Sequence, residues 1–317
     1  MTAISNSGDP AAGWASGLPE LLGEIAGEFE IVELRNETEL NAVRQTGFAG
    51  TRREGVICLA MNRDYFLQAQ DNPCARAIIA PPPVARIHEL SKKALVVSRR
   101  AEELYLYLHA EQSAGAREDV PDIDVSAIVD TSAILRGRVR VEAGVHIGPR
   151  AVIDGPVLVR AGTYIDAGAI VGCDGLYAKT VRGRRVRMPH FGGVEIGEEA
   201  YIHAGAVIVR SAIRGEATRI GRMVHVGVMA NVGHDAQIGD GATLSSHCVI
   251  AGRARVGEQA WIGASATVSN AIRVGARARV RLGAVVIRDV PAGASVSGNF
   301  AVDHARTLRD YLMQAKS

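Results

Sequence analysis

The chain has 317 residues and a net charge of +2, so its overall charge does not indicate a nucleic-acid binder. Only 4% of the residues are aromatic while 35 are glycine, which argues against an ordinary layered globule and favours repetitive packing of small side chains. No apolar run is long enough to cross a bilayer, and the N-terminus lacks the pattern of a signal peptide. The four cysteines show no C-x-x-C spacing and are expected to be reduced. We therefore expect a cytoplasmic protein without a membrane span.

The N-terminal third has the pattern of a small α/β domain. Residues 1–15 are small and polar and are expected to be disordered, whereas residues 16–115 alternate helical and strand-like segments. The triple proline at 81–83 predicts a loop, and polar residues 113–122 predict a linker. The predicted elements are a helix at 18–29, strands at 55–60, 76–80 and 94–98, and a closing helix at 101–112.

From Ile123 an aliphatic residue recurs at every sixth position as far as Val171. An irregular insertion follows at 172–193, and the period then continues from Ile196 to Val286, with Arg214 as the one exception among sixteen positions. Neither a helix nor a flat sheet has this period, but a parallel β-helix does, because three hexads close one triangular coil. Twenty-five such positions predict about eight coils over residues 121–292, and a prism about 40 Å long at a strand spacing of about 4.8 Å. A terminal segment, 293–317, is expected to end in a helix at about 304–316.

The repeat predicts which side chains leave the prism, and four histidines occupy outward offsets. They are His203, His225, His234 and His247. A neutral imidazole is suited to removing a proton from an attacking amine or hydroxyl, and N–H groups at glycine-containing corners can support the oxyanion of acyl transfer. His234, within NVGHDAQIGD, is the candidate general base; the alternatives are a solvated histidine and one at a subunit contact.

A histidine metal centre is the competing hypothesis, because hexapeptide prisms also host carbonic anhydrases of the zinc type. Such sites are typically formed by two histidines about five residues apart and a third that is distant in the sequence. The histidines here have no such close pair in the sequence, so no metal site is predicted.

Two sets of basic residues indicate an anionic partner. The insertion carries Lys179, Arg182, Arg184, Arg185 and Arg187, and later coils carry Arg253, Arg255, Arg273, Arg277, Arg279 and Arg281 at outward offsets. Guanidinium groups bind phosphate through two parallel hydrogen bonds, which suits a nucleotide diphosphate, coenzyme A or an acidic acyl carrier protein. The alternative is that these basic residues form a solvent-exposed surface that binds no partner, in a chain that uses Arg in place of Lys.

Five motifs, in order, resemble the bacterial UDP-3-O-acylglucosamine N-acyltransferases of lipid A assembly, over nearly the whole chain from about residue 18. GVICLAMNRDYF is similar to the uridine-binding segment, with Asn62 and Tyr65 matching. VGCDGLYA and VRMPHFGGVEIG resemble the insertion loop and the Pro-Gln motif after it, and VIVRSAIRGEATRIG resembles a stretch that breaks one coil. VGHDAQIG matches the segment of the general base, and SGNFAVDHARTLR resembles the closing motif.

The resemblance implies an all-β left-handed parallel β-helix with a small N-terminal α/β domain and a short C-terminal helix. It also implies a homotrimer with active sites in the clefts between prisms and no cofactor. His234 would take a proton from the amino group of a UDP-amino sugar that attacks an acyl thioester on the phosphopantetheine of acyl carrier protein. The candidate substrate-binding residues are Asn62, Tyr65, Asp174, Gly175, His190, His247 and His304. The candidate donor-binding residues are Arg253, Arg255, Arg273 and Arg279.

The chain departs from this family at positions that bear on the substrate. Leu59 stands where the family has an aromatic that stacks on uracil, His190 replaces a Gln, and Ala271 replaces a second active-site His. Two alternatives therefore stay open. One is an acyl-CoA-dependent acyltransferase acting on another small amine or alcohol, and the other is a non-catalytic β-helical binding or scaffold protein.

Overall fold

The structure, a computed structural model, describes residues 14, 17–86, 92–112, 120–298 and 313. The expected C-terminal helix, His304 and most of the expected disordered tail therefore lie outside the described residues. Among those described, no helix is both long enough and apolar enough to pass through a bilayer.

The N-terminal part is a five-stranded sheet with helices on both sides. Its strands are β1 (Ile31–Arg35), β2 (Gln45–Gly47), β3 (Val56–Leu59), β4 (Ala75–Ala80) and β5 (Ala94–Ser98). Its helices are α1 (Leu18–Ile25), a 3₁₀ helix (Glu37–Ala42), α2 (Arg63–Asp71), α3 (Pro82–Ala85) and α4 (Ala101–Ala110). The strand order is β1-β5-β4-β3-β2, with β1 antiparallel to β5 and the other neighbours parallel. Strands β4 and β5 are nearly continuous buried apolar runs because each side of the sheet packs on its own core.

Two details of this part differ from the sequence-based expectations. The triple proline begins the short helix α3 instead of forming a loop, because the missing N–H of proline costs nothing in a first helical turn. Trp14, within the stretch expected to be disordered, is 8% exposed, and its Nε1–H donates to the carbonyl of Leu108 at 2.8 Å. Its large apolar ring is buried in the core beneath α1 and α4.

Over residues 122–296 the chain forms a three-sided prism in which each face is a parallel sheet. The first face contains β6 (Asp122–Ile123), β9 (Val139–Val141), β12 (Val157–Val159), β17 (Gly193–Ile196), β20 (Ala217–Ile220), β23 (Gln237–Ile238), β26 (Arg255–Val256) and β29 (Arg273–Val274). The second face contains β7 (Ile128–Val129), β10 (His146–Ile147), β13 (Tyr164–Ile165), β18 (Tyr201–Ile202), β21 (His225–Val226), β24 (Thr243–Leu244), β27 (Trp261–Ile262), β30 (Arg279–Val280) and β32 (Ser295–Val296). The third face contains β8 (Ile134–Arg136), β11 (Val152–Asp154), β14 (Ile170–Cys173), β19 (Val207–Val209), β22 (Asn231–Val232), β25 (Val249–Ile250), β28 (Thr267–Val268) and β31 (Val285–Val286).

The aliphatic residues of the repeat fill the prism, together with the small residue two places before each of them. Ile202, Ala206 and Ile208, for example, have 0% exposure. Ile123, in the first coil, is 41% exposed because no earlier coil covers it. The predicted fold class, a left-handed parallel β-helix, is confirmed.

Two segments interrupt the prism, and both leave it at the same edge, where the third face turns into the first. The insertion between β14 and β17 contains the antiparallel hairpin of β15 (Ala178–Val181) and β16 (Arg184–Arg187). A loop at residues 210–216 replaces one whole hexad between β19 and β20. The expectation that Arg214 occupies an inward repeat position is therefore wrong. Its guanidinium lies outside the prism, 4.9 Å from the centre of the Phe191 ring.

The cysteines of this chain are free thiols. Cys58 and Cys248 are buried, and burial raises the pKa of each thiol to about 12. Because a thiol with a raised pKa stays protonated near neutral pH, these two have a packing role.

The inward register can be tested with two neighbouring residues of β11. Replacing Ile153, which is fully buried, with Ala is expected to lower the free energy of unfolding by about 2–5 kcal/mol, because it leaves a cavity inside the prism. Replacing its neighbour Val152, which points outward, with Ala is expected to lower the free energy of unfolding by less than about 1 kcal/mol. Denaturant titration measures both values; equal losses would contradict the register.

Candidate active site

His234 lies at the corner between β22 and β23, on the edge from which both interruptions leave the prism. Its Nδ1 is 2.8 Å from Oδ2 of Asp235, and the two side chains are 23% and 12% exposed. Because an ionised carboxylate only accepts hydrogen bonds, Nδ1 carries the proton and Nε2 keeps a free lone pair. Asp235 was not selected from the sequence, although it is adjacent to His234.

Gly252 lies directly against the imidazole, one coil further along the same edge. A Cβ atom at Gly252 would be 2.5 Å from Nε2 of His234. Other glycines at the corners lie one position earlier in their hexads and face backbone instead of a side chain. At Gly239, for example, a Cβ atom would lie 2.7 Å from the backbone nitrogen of Glu258. The missed sequence signal is that Gly252 is the only glycine at its hexad offset between residues 198 and 282.

The imidazole of His234 is enclosed by aromatic rings from the same chain. Tyr177 of the insertion stacks on it at 6.1 Å between ring centres, and Phe48 of the N-terminal part lies 6.4 Å away. His190 contacts it edge-on at 5.6 Å, is 1% exposed, and has its pKa lowered by burial. Nε2 of His190 has no hydrogen-bond partner within the described part of the chain, and it lies against Gly175. His190 therefore stays neutral beside His234.

A cavity of about 570 Å³ lies between the N-terminal part and the first face, and Phe48 and Tyr177 connect it to His234. Arg253 lies across it, with its guanidinium 4.8 Å from the centre of the Phe48 ring and 5.7 Å from that of Tyr65. Nη2 of Arg253 also donates to the hydroxyl of Tyr65 at 3.1 Å. Both Leu59 and Ala271, two of the departures from the family pattern, line the same cavity. One chain thus builds these walls, whereas the resemblance placed the site between prisms.

The arginines of the first face differ in whether a carboxylate neutralises them. Arg160 pairs with Glu142 at 3.0 Å, and Arg219 pairs with Glu195 at 3.0 Å. Over the described residues, the side chains of Arg255 and Arg273 make no ion pair, although these two residues are register partners on adjacent strands of the cavity wall. The cavity therefore carries an uncompensated positive charge.

The structure gives two of the candidate substrate-binding residues structural partners. Oδ1 of Asn62 caps α2 by accepting from the backbone N–H of Tyr65 at 3.0 Å. Asp174 pairs with Arg187 at 2.9 Å and with the buried Arg210 at 3.4 Å. Arg210 also binds the carbonyl oxygens of Asp154 and Gly155 at 3.1 and 3.0 Å. Its network joins the start of the insertion to the prism.

Three further candidates are not brought together with His234. His247 is exposed at the edge between the second and third faces, so within one chain it is on another corner of the prism. Arg279 lies on the second face, away from Arg255 and Arg273. His304 falls outside the described residues.

The basic hairpin of the insertion is largely neutralised by the N-terminal part. Lys179 pairs with Glu102 at 3.1 Å, and Arg182 pairs with Glu28. These pairs attach the hairpin to α4 and the chain before β1, so the hairpin supports the site. Among the described residues, Arg184 and Arg185 are the hairpin's exposed cations without an ion pair.

The structure does bring two histidines together that are far apart in the sequence. Nε2 of His203 lies 3.4 Å from Nδ1 of His225, because the two residues are one coil apart on the second face and its edge. No two of these histidines are close in the sequence, so spacing alone could not reveal this contact, which the stacking of the coils creates. In the described ranges, however, no group of three or more potential ligand side chains could hold a metal ion.

The contact between Gly252 and His234 predicts a specific effect of Gly252→Ala. The imidazole must move by about 1 Å to restore van der Waals separation from the new methyl group. A crystal structure should show this shift with the prism intact, while Asn270→Ala, one coil further along the edge, should leave the ring in place. An unmoved imidazole in Gly252→Ala would contradict the described packing.

No family model and no curated protein matches the chain. Among solved structures it is similar to the UDP-N-acetylglucosamine O-acyltransferase of Moraxella catarrhalis, with 24% identity over 60% of this chain and 76% of that one, at a TM-score of 0.40. The corresponding enzyme of Arabidopsis shows 20% identity over 60% and 76%, at a TM-score of 0.38. A perosamine N-acetyltransferase of Caulobacter crescentus shows 22% identity over 66% and 69%, at a TM-score of 0.22. Likenesses of this size do not by themselves identify a reaction for this chain.

Proposed function

We propose that the protein is an acyltransferase that moves an acyl group from a thioester to the amino group of a nucleotide-linked amino sugar. The observation that carries the proposal is the pair of His234 and Asp235 beside an aromatic cavity, in which Arg255 and Arg273 have no ion pair over the described ranges. An imidazole oriented by a carboxylate is suited to general-base catalysis, and the cavity is suited to a nucleotide diphosphate.

The reaction follows from the geometry at Nε2 of His234. The sugar amine attacks the thioester carbonyl while Nε2 takes one of its protons, so a C–N bond forms and the carbonyl becomes an oxyanion. The Gly252 N–H, which makes no hydrogen bond within the described chain, is the proposed donor to that oxyanion. Collapse breaks the C–S bond, and the imidazolium returns its proton to the thiolate. Asp235 stabilises the imidazolium in between.

We propose that the arginines of the cavity bind the acceptor. Arg253 contacts Tyr65, and Arg255 and Arg273 line the same cavity, where no carboxylate among the described residues pairs with them. We therefore assign Arg255 and Arg273 to the phosphates of the nucleotide, although the sequence suggested that they bind the donor. The aromatic rings of Phe48 and Tyr65 are the proposed surfaces for the base.

The specific substrates follow from the family resemblance. A UDP-3-O-acylglucosamine-like acceptor and an acyl thioester on acyl carrier protein are the leading pair, with acyl-CoA as the alternative donor. No cofactor is needed for this chemistry.

A homotrimer is the proposed assembly. The second and third faces and their shared edge carry a run of exposed apolar side chains, which marks a contact surface. Its members are Ile128, Ile134, Tyr164, Ile170, Val228, Met229, Val249, Leu282 and Val285.

Replacing His234 with Ala is expected to lower the rate of transfer by about 10²–10⁴-fold, because the attacking amine loses its base. Asp235→Asn is expected to lower the rate less, since the imidazole remains. Transfer from both acyl carrier protein and coenzyme A thioesters to UDP-amino sugars gives the rates. Analytical ultracentrifugation checks that each variant keeps its assembly; near-full activity of an assembled His234→Ala protein would refute the mechanism.

Arg255→Gln and Arg273→Gln are each expected to raise the KM for the nucleotide sugar by about tenfold, because each removes a hydrogen bond to a charged phosphate. The KM for the donor should change less than about twofold. Arg279→Gln is the matched control, as an outward arginine on the second face. A selective rise in the KM for the donor would contradict this assignment and would mean that Arg255 and Arg273 bind the donor.

A further inference from the structure

We infer that Ser211 is a positioning residue that fixes the carboxylate of Asp235 against His234. This inference rests on the proposed function, since it assigns a role to Ser211 in that reaction. Ser211 was not selected from the sequence, and it does not touch the imidazole itself.

Each oxygen of the Asp235 carboxylate has its own partner on the loop at 210–216. The hydroxyl of Ser211 donates to Oδ1. The backbone N–H of Ala212 donates to Oδ2 at 3.2 Å, and the same oxygen faces Nδ1 of His234 at 2.8 Å. With both oxygens held, the carboxylate cannot rotate away from the imidazole without breaking a hydrogen bond.

The hydroxyl proton of Ser211 has two acceptors within reach, and the carboxylate is the better one. The carbonyl of Ile213 lies 3.2 Å from Oγ and is neutral, whereas Oδ1 belongs to a carboxylate, and hydrogen bonds to charged groups are stronger than those to neutral ones. The Ile213 N–H donates back to Oγ at 3.1 Å, which orients the hydroxyl. Ser211 is fully buried, so water does not compete for the carboxylate at this point.

The loop itself is held in place from the N-terminal side. Oε1 of Glu216 accepts from the backbone N–H of Arg52 at 3.0 Å, and the Arg53 guanidinium donates to the carbonyl of Gly215. Gly50, Thr51 and Arg52 line the cavity. The segment that forms one wall of the acceptor cavity thus also supports the loop that aims Asp235.

The test compares Ser211→Ala with Thr163→Val. Thr163 is also fully buried, but its hydroxyl donates to the carbonyl of Gly197, at a different edge of the prism. Transfer of an acyl group from acyl carrier protein to UDP-3-O-acylglucosamine gives kcat and KM. Ser211→Ala should lower kcat by about tenfold with both KM values within about twofold, while Thr163→Val should leave kcat unchanged. A general structural role would not produce this split.

A double variant separates positioning from packing. If Ser211 acts only through Asp235, then Ser211→Ala should cause no further loss in an Asp235→Asn background. Losses that multiply, or an unchanged kcat in the single variant, would overturn the inference.

A crystal structure of Ser211→Ala decides the point independently of the substrate. The contact between Asp235 and His234 should lengthen beyond hydrogen-bonding distance, and an unaltered contact overturns the inference. If the contact lengthens but no variant or wild-type protein transfers an acyl group, positioning stands and the proposed function fails.

Discussion

The hydrogen bonds between successive coils hold residues eighteen positions apart one above the other, and the site depends on this register. Asn231 pairs with Val249 and Gln237 pairs with Arg255, so the corner at His234 lies directly beneath the corner at Gly252. The backbone N–H of Arg253 donates to the carbonyl of His234 at 2.8 Å and locks the two corners together. The aliphatic column inside the prism fixes this stacking, because a slip of one residue would turn every buried side chain outward.

Both interruptions of the prism lie on one of its edges. The insertion and the loop at 210–216 both leave between a strand of the third face and a strand of the first, and His234 lies at the next corner of the same edge. The insertion supplies Tyr177 and His190 to the imidazole, and the loop supplies the partners of Asp235. These departures from the repeat therefore enclose the imidazole of His234.

The six-residue period was sufficient to predict the fold and the outward position of His234, because both follow from local spacing. The same period could also have separated His247 from His234, since thirteen residues is not a multiple of the eighteen in a coil. The six-residue period did not predict that His203 and His225 lie close together, because their contact depends on how successive coils stack. The sequence shows a carboxylate directly after His234, at Asp235, and a glycine at an unusual hexad offset, at Gly252. That both contact the imidazole could be seen only once the neighbouring coils and the loop at 210–216 were placed.

The charge pattern was the least predictable part. Lys179 of the hairpin finds its carboxylate 77 residues away in the sequence, and no local rule identifies such a partner. The two sets of basic residues therefore looked equivalent in the sequence. In the part of the chain that the structure describes, most of the hairpin's cations have carboxylate partners, whereas Arg255 and Arg273 at the cavity have none. The placement of the N-terminal sheet against the first face decides which cations are available to a ligand.

The most direct measurement is a crystal structure of the protein with a UDP-amino sugar bound. The proposed mechanism predicts that the sugar nitrogen lies about 2.6–3.2 Å from Nε2 of His234, with the diphosphate on Arg255 and Arg273. A ligand bound elsewhere, with the cavity empty and the imidazole turned towards bulk solvent, would contradict it.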